Sequence, residues 1–215
     1  MVEKGGMMRR RCPLVENEVY HVMNKSIAGY TIFNSDKDYS RMTQMMAYYS
    51  VADKLPRFSW FLKSKETVCA GFEKNFNALW ASHPRHVRLI AYCLMPTHIH
   101  LVLQQLSNKG IQIYMSNLSN SYSRYFNLCH QRKGPLWVER FKNVRVEDND
   151  QLAHLTRYVH LNPVSAGLIA QARDWEFSSY KEYSRSEDQI PSAIKLCHFK
   201  DLIPMSHKEY ENFVN

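Results

Sequence analysis

The pattern of hydrophobic residues changes along this chain from one typical of a strand to one typical of a helix. This change predicts the first strand and the first helix. Residues 18–26, EVYHVMNKS, group β-branched and aromatic residues ahead of polar ones, which indicates a β-strand. Residues 35–53 instead repeat Met and Tyr at helical spacing, and Ser35 is suited to cap the first turn. The sequence therefore predicts a strand followed by a helix.

The middle of the chain predicts a strand pair. Residues 86–96 and 97–106 are both rich in strand formers and meet at MPT. Pro96 has no N–H to donate to a sheet, which suits a turn between the two strands. Residues 54–86 precede the pair, and they contain a further predicted helix at 70–82, AGFEKNFNALWAS.

Two further helices with a strand between them follow. Residues 111–131 read as a long helix, 141–148 as a short strand, and 150–168 as a helix at least to His160, which Pro163 interrupts or restarts. The resulting order of strand, helix, insertion, two strands, helix, strand and helix predicts an α+β fold with one antiparallel sheet. From residue 184 onward the chain is polar, and we expect a peripheral tail at 184–215.

Composition restricts the class of protein. The chain has 215 residues, 45% of them hydrophobic and 22% charged, which is typical of a folded domain. A net charge of +8 favours an anionic partner, nucleic acid first and a membrane surface second. Five cysteines without a CxxC pair argue against disulfides and cysteine zinc sites, and favour the cytosol. No apolar run predicts a signal peptide or a membrane span.

The stretch THIHLVL carries the first candidate chemistry. On a strand, alternate side chains share a face, so His98 and His100 are expected to lie side by side. Neutral imidazoles are good ligands for divalent metals, and such a pair suggests a shared cation. The alternative is a pair that is packed or hydrogen-bonded on the sheet without binding a metal.

A polar stripe on the last predicted helix is the second candidate. His154, Tyr158 and Asn162 are four residues apart and fall on one helical face. One interpretation holds the tyrosine hydroxyl near a metal that the amide oxygen also binds, which suits Mg²⁺ or Mn²⁺. The other packs the tyrosine into the core. Because Pro163 follows it, Asn162 is expected to be the last residue of that helix.

These residues suggest phosphoryl chemistry. A metal that binds a phosphate neutralises its charge and orients it for attack. Attack by the tyrosine would leave a covalent phosphotyrosine, which stores the phosphodiester bond for resealing. Hydrolysis by an activated water is the alternative, although the sequence offers no acidic cluster of the kind that two-metal nucleases use.

Cations and aromatic residues interleave between residues 121 and 145. Single-stranded nucleic acid sites combine positive charge with rings that stack on bases, which favours binding by this segment. The alternative places the rings in the core. Its cations are Arg124, Arg132, Lys133, Arg140, Lys142 and Arg145, and its rings are Tyr122, Tyr125, Phe126, Trp137 and Phe141. Arg9, Arg10 and Arg11 form a further basic run that could reach into a groove.

Taken together, these motifs resemble one family. VYHVMNKSIAGYTIF, AYCLMPTHIHLVL, GPLWVERFKNVRVED, LTRYVHLNPVSAGL and WEFSSY are similar, in this order, to the REP-associated branch of the single-tyrosine HUH transposases. The resemblance spans about residues 9–183. It implies one HUH transposase domain over 1–183, with an extra helical insertion at about 54–86 and a ferredoxin-like or RRM-like antiparallel sheet with helices packed on it.

The resemblance also implies roles for individual residues. It implies His98 and His100 as the HUH histidines, Asn162 as the third ligand of Mg²⁺ or Mn²⁺, and Tyr158 as the nucleophile. Such enzymes cut single-stranded DNA beside a hairpin and keep the 5′-phosphate on tyrosine. Contacts to DNA are carried over to Arg140 and Lys142, and to Arg9–Arg11. Lys25 stands where many members have arginine, which keeps the charge for a phosphate but not the planar fork.

Two other functions are compatible with the same residues. A non-catalytic, domesticated regulator could bind palindromic DNA without cutting it, and a metallohydrolase could use water and form no adduct. For the transposase we expect a cytosolic, bacterial, nucleoid-associated protein that is a monomer or a homodimer, with no membrane partner.

Overall fold

The computed structural model describes residues 13–186 and 196–215 and contains one four-stranded sheet. The strands lie in the order β2-β3-β1-β4, and every neighbouring pair is antiparallel. Two helical segments separate these strands in the pattern of the ferredoxin-like fold. The predicted α+β sheet is therefore confirmed. The strands are β1 (Val19–Lys25), β2 (Val87–Met95), β3 (His98–Gln105) and β4 (Lys142–Arg145).

Eight α-helices occur in the described ranges. The helices predicted at 35–53, 70–82, 111–131 and 150–168 are all present, with ends that differ by a few residues. The helices are α1 (Asp36–Ser50), α2 (Phe58–Phe61), α3 (Lys65–Ala70), α4 (Phe72–Ser82), α5 (Gly110–Cys129), α6 (Asn149–Ser165), α7 (Tyr180–Ser184) and α8 (His207–Val214). No helix within 13–186 or 196–215 has both the length and the apolar content needed to cross a membrane.

Helices α1 and α5 pack on one face of the sheet. The side chains of Tyr20, Val22, Leu101 and Leu103 are fully buried. On the same face, Asn24 of β1 donates a hydrogen bond to Ser119 Oγ of α5 at 3.2 Å. This face therefore forms the main core and leaves the opposite face of the strands for another element.

Helix α6 covers the opposite face, and its two ends explain its bounds. Asp148 caps the start, since its carboxylate accepts a hydrogen bond from the Gln151 amide at 2.7 Å. The expectation that α6 ends at Asn162 is wrong, because the helix continues through Pro163 to Ser165. Proline removes the N–H that would reach the Val159 carbonyl. The Asn162 side-chain amide lies 3.5 Å from that carbonyl and partly replaces the lost donor.

Residues 54–86, which were predicted to be an insertion, contain short helices with packed aromatic rings. Phe58 and Phe61 pack their rings on Tyr48 of α1, with ring centres 5.1 and 4.7 Å away. Phe72 and Phe76 extend the stack along α4, with ring centres 5.6 Å apart. This segment is thus anchored to α1.

The last helix packs against α6. Tyr210 of α8 is buried, and its hydroxyl lies 2.7 Å from His160 Nδ1 and 3.0 Å from Thr156 Oγ1 of α6. Arg157 donates to the Phe213 carbonyl at 2.6 Å. Sequence analysis expected only a peripheral tail from residue 184, and this packing was not anticipated.

Candidate active site

One cavity of about 440 Å³ gathers most of the candidate residues. It lies between the β1–β3 strand pair, helix α6 and the segment that leads into β4. Its lining combines imidazole, phenol, amide and cationic groups with few apolar ones. The lining residues are Met23, Asn24, Lys25, His98, His100, Val138, Glu139, Arg140, Lys142, Tyr158 and Asn162.

The strand register brings the two histidines to this cavity. In the pairing of β3 with β1, His98 lies opposite Lys25 and His100 lies opposite Met23. Residues opposite each other share a face, and alternate residues of one strand share it too. The ring centres of His98 and His100 are 4.9 Å apart. The predicted side-by-side arrangement is therefore present.

Hydrogen bonds occupy the same nitrogen in both rings. His98 Nδ1 lies 3.0 Å from Thr97 Oγ1, and His100 Nδ1 lies 3.0 Å from His21 Nε2. Metal-binding histidines usually use one ring nitrogen for the metal and the other for such a partner. Both rings therefore have Nε2 left as the atom that fits a metal.

Burial keeps these imidazoles neutral, which is the form that binds a metal. It lowers the pKa of His21 to about 4, and burial together with the neighbouring His21 and His98 lowers the pKa of His100 to about 3. Burial, with a smaller effect from the Lys25 charge, also lowers the pKa of His98. All three rings are thus uncharged at neutral pH.

Tyr158 extends from α6 into the cavity. Its side chain is 52% exposed, so it is not a core residue. Its ring meets the rings of His21 and His100 edge to face, with centres 5.9 Å away in both cases. A phenol in this position is close to both histidines and open to a ligand entering from solvent.

Asn162 lies one turn further along α6 and lines the same cavity. Its amide nitrogen donates to the Tyr158 carbonyl at 2.8 Å, which turns Oδ1 away from the helix backbone. In the described parts of the chain, no three His, Cys, Asp or Glu side chains form a metal-binding group. Two imidazoles and an amide oxygen nevertheless form a mixed set that could hold a divalent ion, since imidazole nitrogen suits transition metals and carbonyl oxygen suits Mg²⁺ or Mn²⁺.

The rest of the predicted polar stripe does not join the site. His154 is exposed, and its ring packs on Phe213 of α8 with centres 5.3 Å apart. Of this stripe, only Tyr158 and Asn162 line the cavity.

Three of the predicted cations surround this cavity. Lys25, Arg140 and Lys142 are exposed and line it, and Lys142 also lies 3.6 Å from Glu139. Arg124 is exposed on α5, on the far side of the sheet, and Arg145 pairs with Glu18 at 2.8 Å. Arg9, Arg10 and Arg11 lie outside the described residues.

The aromatic residues between 121 and 145 are mostly core. Tyr122 and Phe126 are fully buried under the sheet, and the Trp137 indole donates to the Ser119 carbonyl at 3.1 Å. The interpretation that these rings stack on bases is therefore wrong for Tyr122 and Phe126. Tyr122 and Phe126 are four residues apart and therefore lie on the same face of α5, which packs against the core. The exposed cation between them in the sequence lies on another face of the helix and does not reveal this.

His21 is the site residue that sequence analysis missed. It is 8% exposed, and its ring stacks on His100 with centres 5.2 Å apart. The signal was available, because alternation along β1 puts His21 on the same face as Lys25.

Comparison with known proteins agrees with the resemblance. Residues 58–162 match the family model described as "Transposase IS200 like". A REP-associated tyrosine transposase of Haemophilus influenzae is 30% identical over 108 residues, which cover 46% of this chain and 61% of that protein. The one from Escherichia coli K12 is 23% identical over 96 residues, 45% of this chain and 56% of that protein. The aligned part is thus less than two thirds of each relative.

A solved structure extends the similarity to the fold. It is that of a REP-associated tyrosine transposase bound to a REP hairpin, and it matches 88% of this chain and 94% of its own with a TM-score of 0.54. The two sequences are 14% identical, so this match concerns the fold. Residues 58–162 therefore match the IS200-like transposase family model, and the chain resembles the REP-associated tyrosine transposases in sequence and in fold.

Proposed function

We propose that this protein cleaves and rejoins single-stranded DNA beside palindromic hairpins through a covalent bond to Tyr158. The observation that carries the proposal is the convergence of Tyr158, His98, His100 and Asn162 on one cavity. A protein that only bound DNA would have no need for a phenol that contacts His100 and shares a cavity with His98. The hairpin substrate follows from the relatives, which are named for REP sequences.

The cations around the cavity bind the substrate. Lys25, Arg140 and Lys142 lie on the rim and attract the phosphates on either side of the cleavage point. They hold the strand so that one phosphate enters beside Tyr158. Arg124, Arg145 and Arg9–Arg11 are proposed to contact the DNA further from this point.

The histidines and Asn162 orient the reacting phosphate. A divalent ion, Mg²⁺ or Mn²⁺, held by His98 Nε2, His100 Nε2 and Asn162 Oδ1 would neutralise its charge and make the phosphorus easier to attack. The neutral state of both rings leaves their lone pairs available for this role.

Tyr158 then acts as the nucleophile. Its hydroxyl loses its proton as the oxygen forms a bond to phosphorus, and the bond from phosphorus to the 3′ oxygen breaks. The 3′ oxygen takes up a proton to become a free hydroxyl, so the step consumes no net proton. The number of phosphodiester bonds is conserved, since the tyrosine ester replaces the DNA ester. Attack of another 3′-hydroxyl on the phosphotyrosine reverses the step and joins the strands.

The experiment uses the full chain, a single-stranded hairpin oligonucleotide and Mn²⁺. The wild type should form a covalent protein–DNA complex that survives denaturing electrophoresis. Tyr158→Phe should bind the DNA but form no complex, and His98→Ala should lose cleavage while keeping its fold by circular dichroism. Cleavage that releases both ends free would favour a metallohydrolase, and binding without any cleavage would favour a regulator.

A further inference from the structure

The hydrogen bond between His21 and His100 has a consequence for the metal site. It joins His21 Nε2 to His100 Nδ1 at 3.0 Å, and both side chains are buried. A hydrogen bond between two ring nitrogens needs one N–H and one lone pair. Which ring donates therefore decides which nitrogen of His100 is left with a lone pair.

We infer that His21 is a positioning residue whose Nε2 accepts a hydrogen bond from His100 Nδ1–H and so directs the His100 Nε2 lone pair toward the cavity. This inference rests on the proposed function, because it assigns His21 a part in preparing the metal site. In the opposite arrangement His21 would donate, and His100 would carry its proton on the nitrogen that must bind the metal.

Three observations show that His21 is placed to position His100. The rings of His21 and His100 are stacked, with planes 20° apart, so the hydrogen bond also sets the ring orientation of His100. The register of β1 and β3 fixes both backbones, since Met23 pairs with His100. The ring of His21 also meets Tyr158, so one buried side chain contacts both a proposed ligand and the proposed nucleophile.

His98 provides an internal comparison. Its Nδ1 is bonded to Thr97 Oγ1, and a hydroxyl can donate or accept, so this contact leaves the tautomer of His98 open. His100 is the more buried of the two proposed ligands, and its Nδ1 is hydrogen-bonded to the ring of His21. Loss of the His21 acceptor would leave the Nδ1–H of His100 unpaired, which favours the other tautomer.

The first measurement is the tautomer of His100 in metal-free protein, read from ¹⁵N chemical shifts of the imidazole nitrogens. The inference expects a protonated Nδ1 and an unprotonated Nε2 in the wild type. In His21→Phe it expects a shift toward the Nε2-protonated form. A wild-type His100 that is protonated on Nε2 would overturn the inference.

The second measurement is Mn²⁺ affinity by calorimetry, which needs no DNA and no turnover. His21→Phe should weaken binding by about 10- to 100-fold, as loss of a hydrogen-bond partner does at other metal sites. His21→Gln can offer an acceptor near the position of Nε2 and should restore most of the affinity. His154→Phe, an exposed histidine on α6, is the control and should bind like the wild type.

Equal Mn²⁺ affinity in the wild type and a folded His21→Phe variant would also overturn the inference. Failure of the proposed function has a different signature. The wild type would then bind no Mn²⁺ or form no adduct, while the ¹⁵N measurement would still decide the tautomer of His100.

Discussion

The ring of Tyr158 meets the ring of His100 edge to face, with the ring centres 5.9 Å apart, although the two residues belong to a helix and a strand that are distant in the chain. The contact exists because α6 covers the face of the sheet to which β3 turns His98 and His100. It joins a potential nucleophile to a potential metal ligand.

Asn162 should contribute to metal binding. Asn162→Ala removes the amide oxygen and should weaken Mn²⁺ affinity at least about tenfold, the low end of the losses found when groups around a metal are removed. Asn162→Asp keeps an oxygen at the same place and should retain binding. Calorimetry provides the affinities, and circular dichroism checks that α6 is intact. Equal affinity of the alanine variant and the wild type would exclude Asn162 as a ligand.

Arg140 should bind a phosphate at the rim of the cavity. Arg140→Ala should weaken binding of single-stranded DNA, and the slope of log affinity against log salt should fall by about 0.7, the value for one lost contact. Fluorescence anisotropy at several salt concentrations measures both. Lys208→Ala removes an exposed cation from α8, away from the cavity, and should leave the slope unchanged. An unchanged slope for Arg140→Ala would remove this residue from the DNA surface.

The Tyr210 hydroxyl should stabilise the attachment of α8 to α6. Tyr210→Phe leaves His160 Nδ1 without its partner and removes the donor to Thr156 Oγ1. The Thr156 hydroxyl still donates to the Ala153 carbonyl. An unpaired buried polar group costs about 1–3 kcal/mol. Urea denaturation should show a loss of this size in the free energy of unfolding. Tyr30→Phe is the matched control, since Tyr30 is 46% exposed, and its free energy should change by less than about 0.5 kcal/mol.

His160 should make the protein less stable in acid. It is buried among Tyr180, Tyr183 and Tyr210 with Nε2 2.7 Å from Ser179 Oγ, and burial lowers its pKa to about 3. In the unfolded chain a histidine titrates near about 6.5, so between these values only the unfolded state holds the proton. The free energy of unfolding should fall as the pH drops through this window, by up to about 1.4 kcal/mol per unit for this residue.

The matching variant is His160→Gln, which removes the titrating group. Its free energy of unfolding is expected to be lower at pH 7, because it loses buried hydrogen bonds, but to decline less steeply between about pH 6 and pH 4. Denaturation curves at several pH values measure the difference in slope. Parallel slopes for the wild type and the variant would mean that His160 is protonated in the folded protein.

The sequence predicted those parts of the fold and site that depend on local spacing. The two-residue period of a β-strand predicted that His98 and His100 lie on one face of the sheet. The spacing of four residues in a helix predicted that Tyr158 and Asn162 lie on one side of α6. What it could not reveal depends on contacts between distant segments. The hydrogen bond of His21 to His100 requires the register between β1 and β3, and the packing of Tyr210 on α6 requires the position of α8.

Two predictions from local sequence were wrong for physical reasons that residue spacing cannot show. The expected end of α6 at Asn162 assumed that Pro163 stops the helix, whereas the Asn162 side chain partly supplies the missing donor. The interleaved rings of α5 suggested a stacking surface, but Tyr122 and Phe126 lie on the side of that helix that faces the sheet. These two rings are in the core because one face of α5 is buried. The cation on the exposed side of the helix, Arg124, does not indicate which face that is.

The most direct test of the central claim is mass spectrometry of the wild-type protein after reaction with a single-stranded hairpin oligonucleotide and Mn²⁺. Digestion with protease and nuclease should leave a nucleotide attached through its 5′-phosphate to the peptide that contains Tyr158. The claim would be contradicted if the oligonucleotide is cleaved while this peptide stays unmodified, or if the nucleotide is found on a different residue.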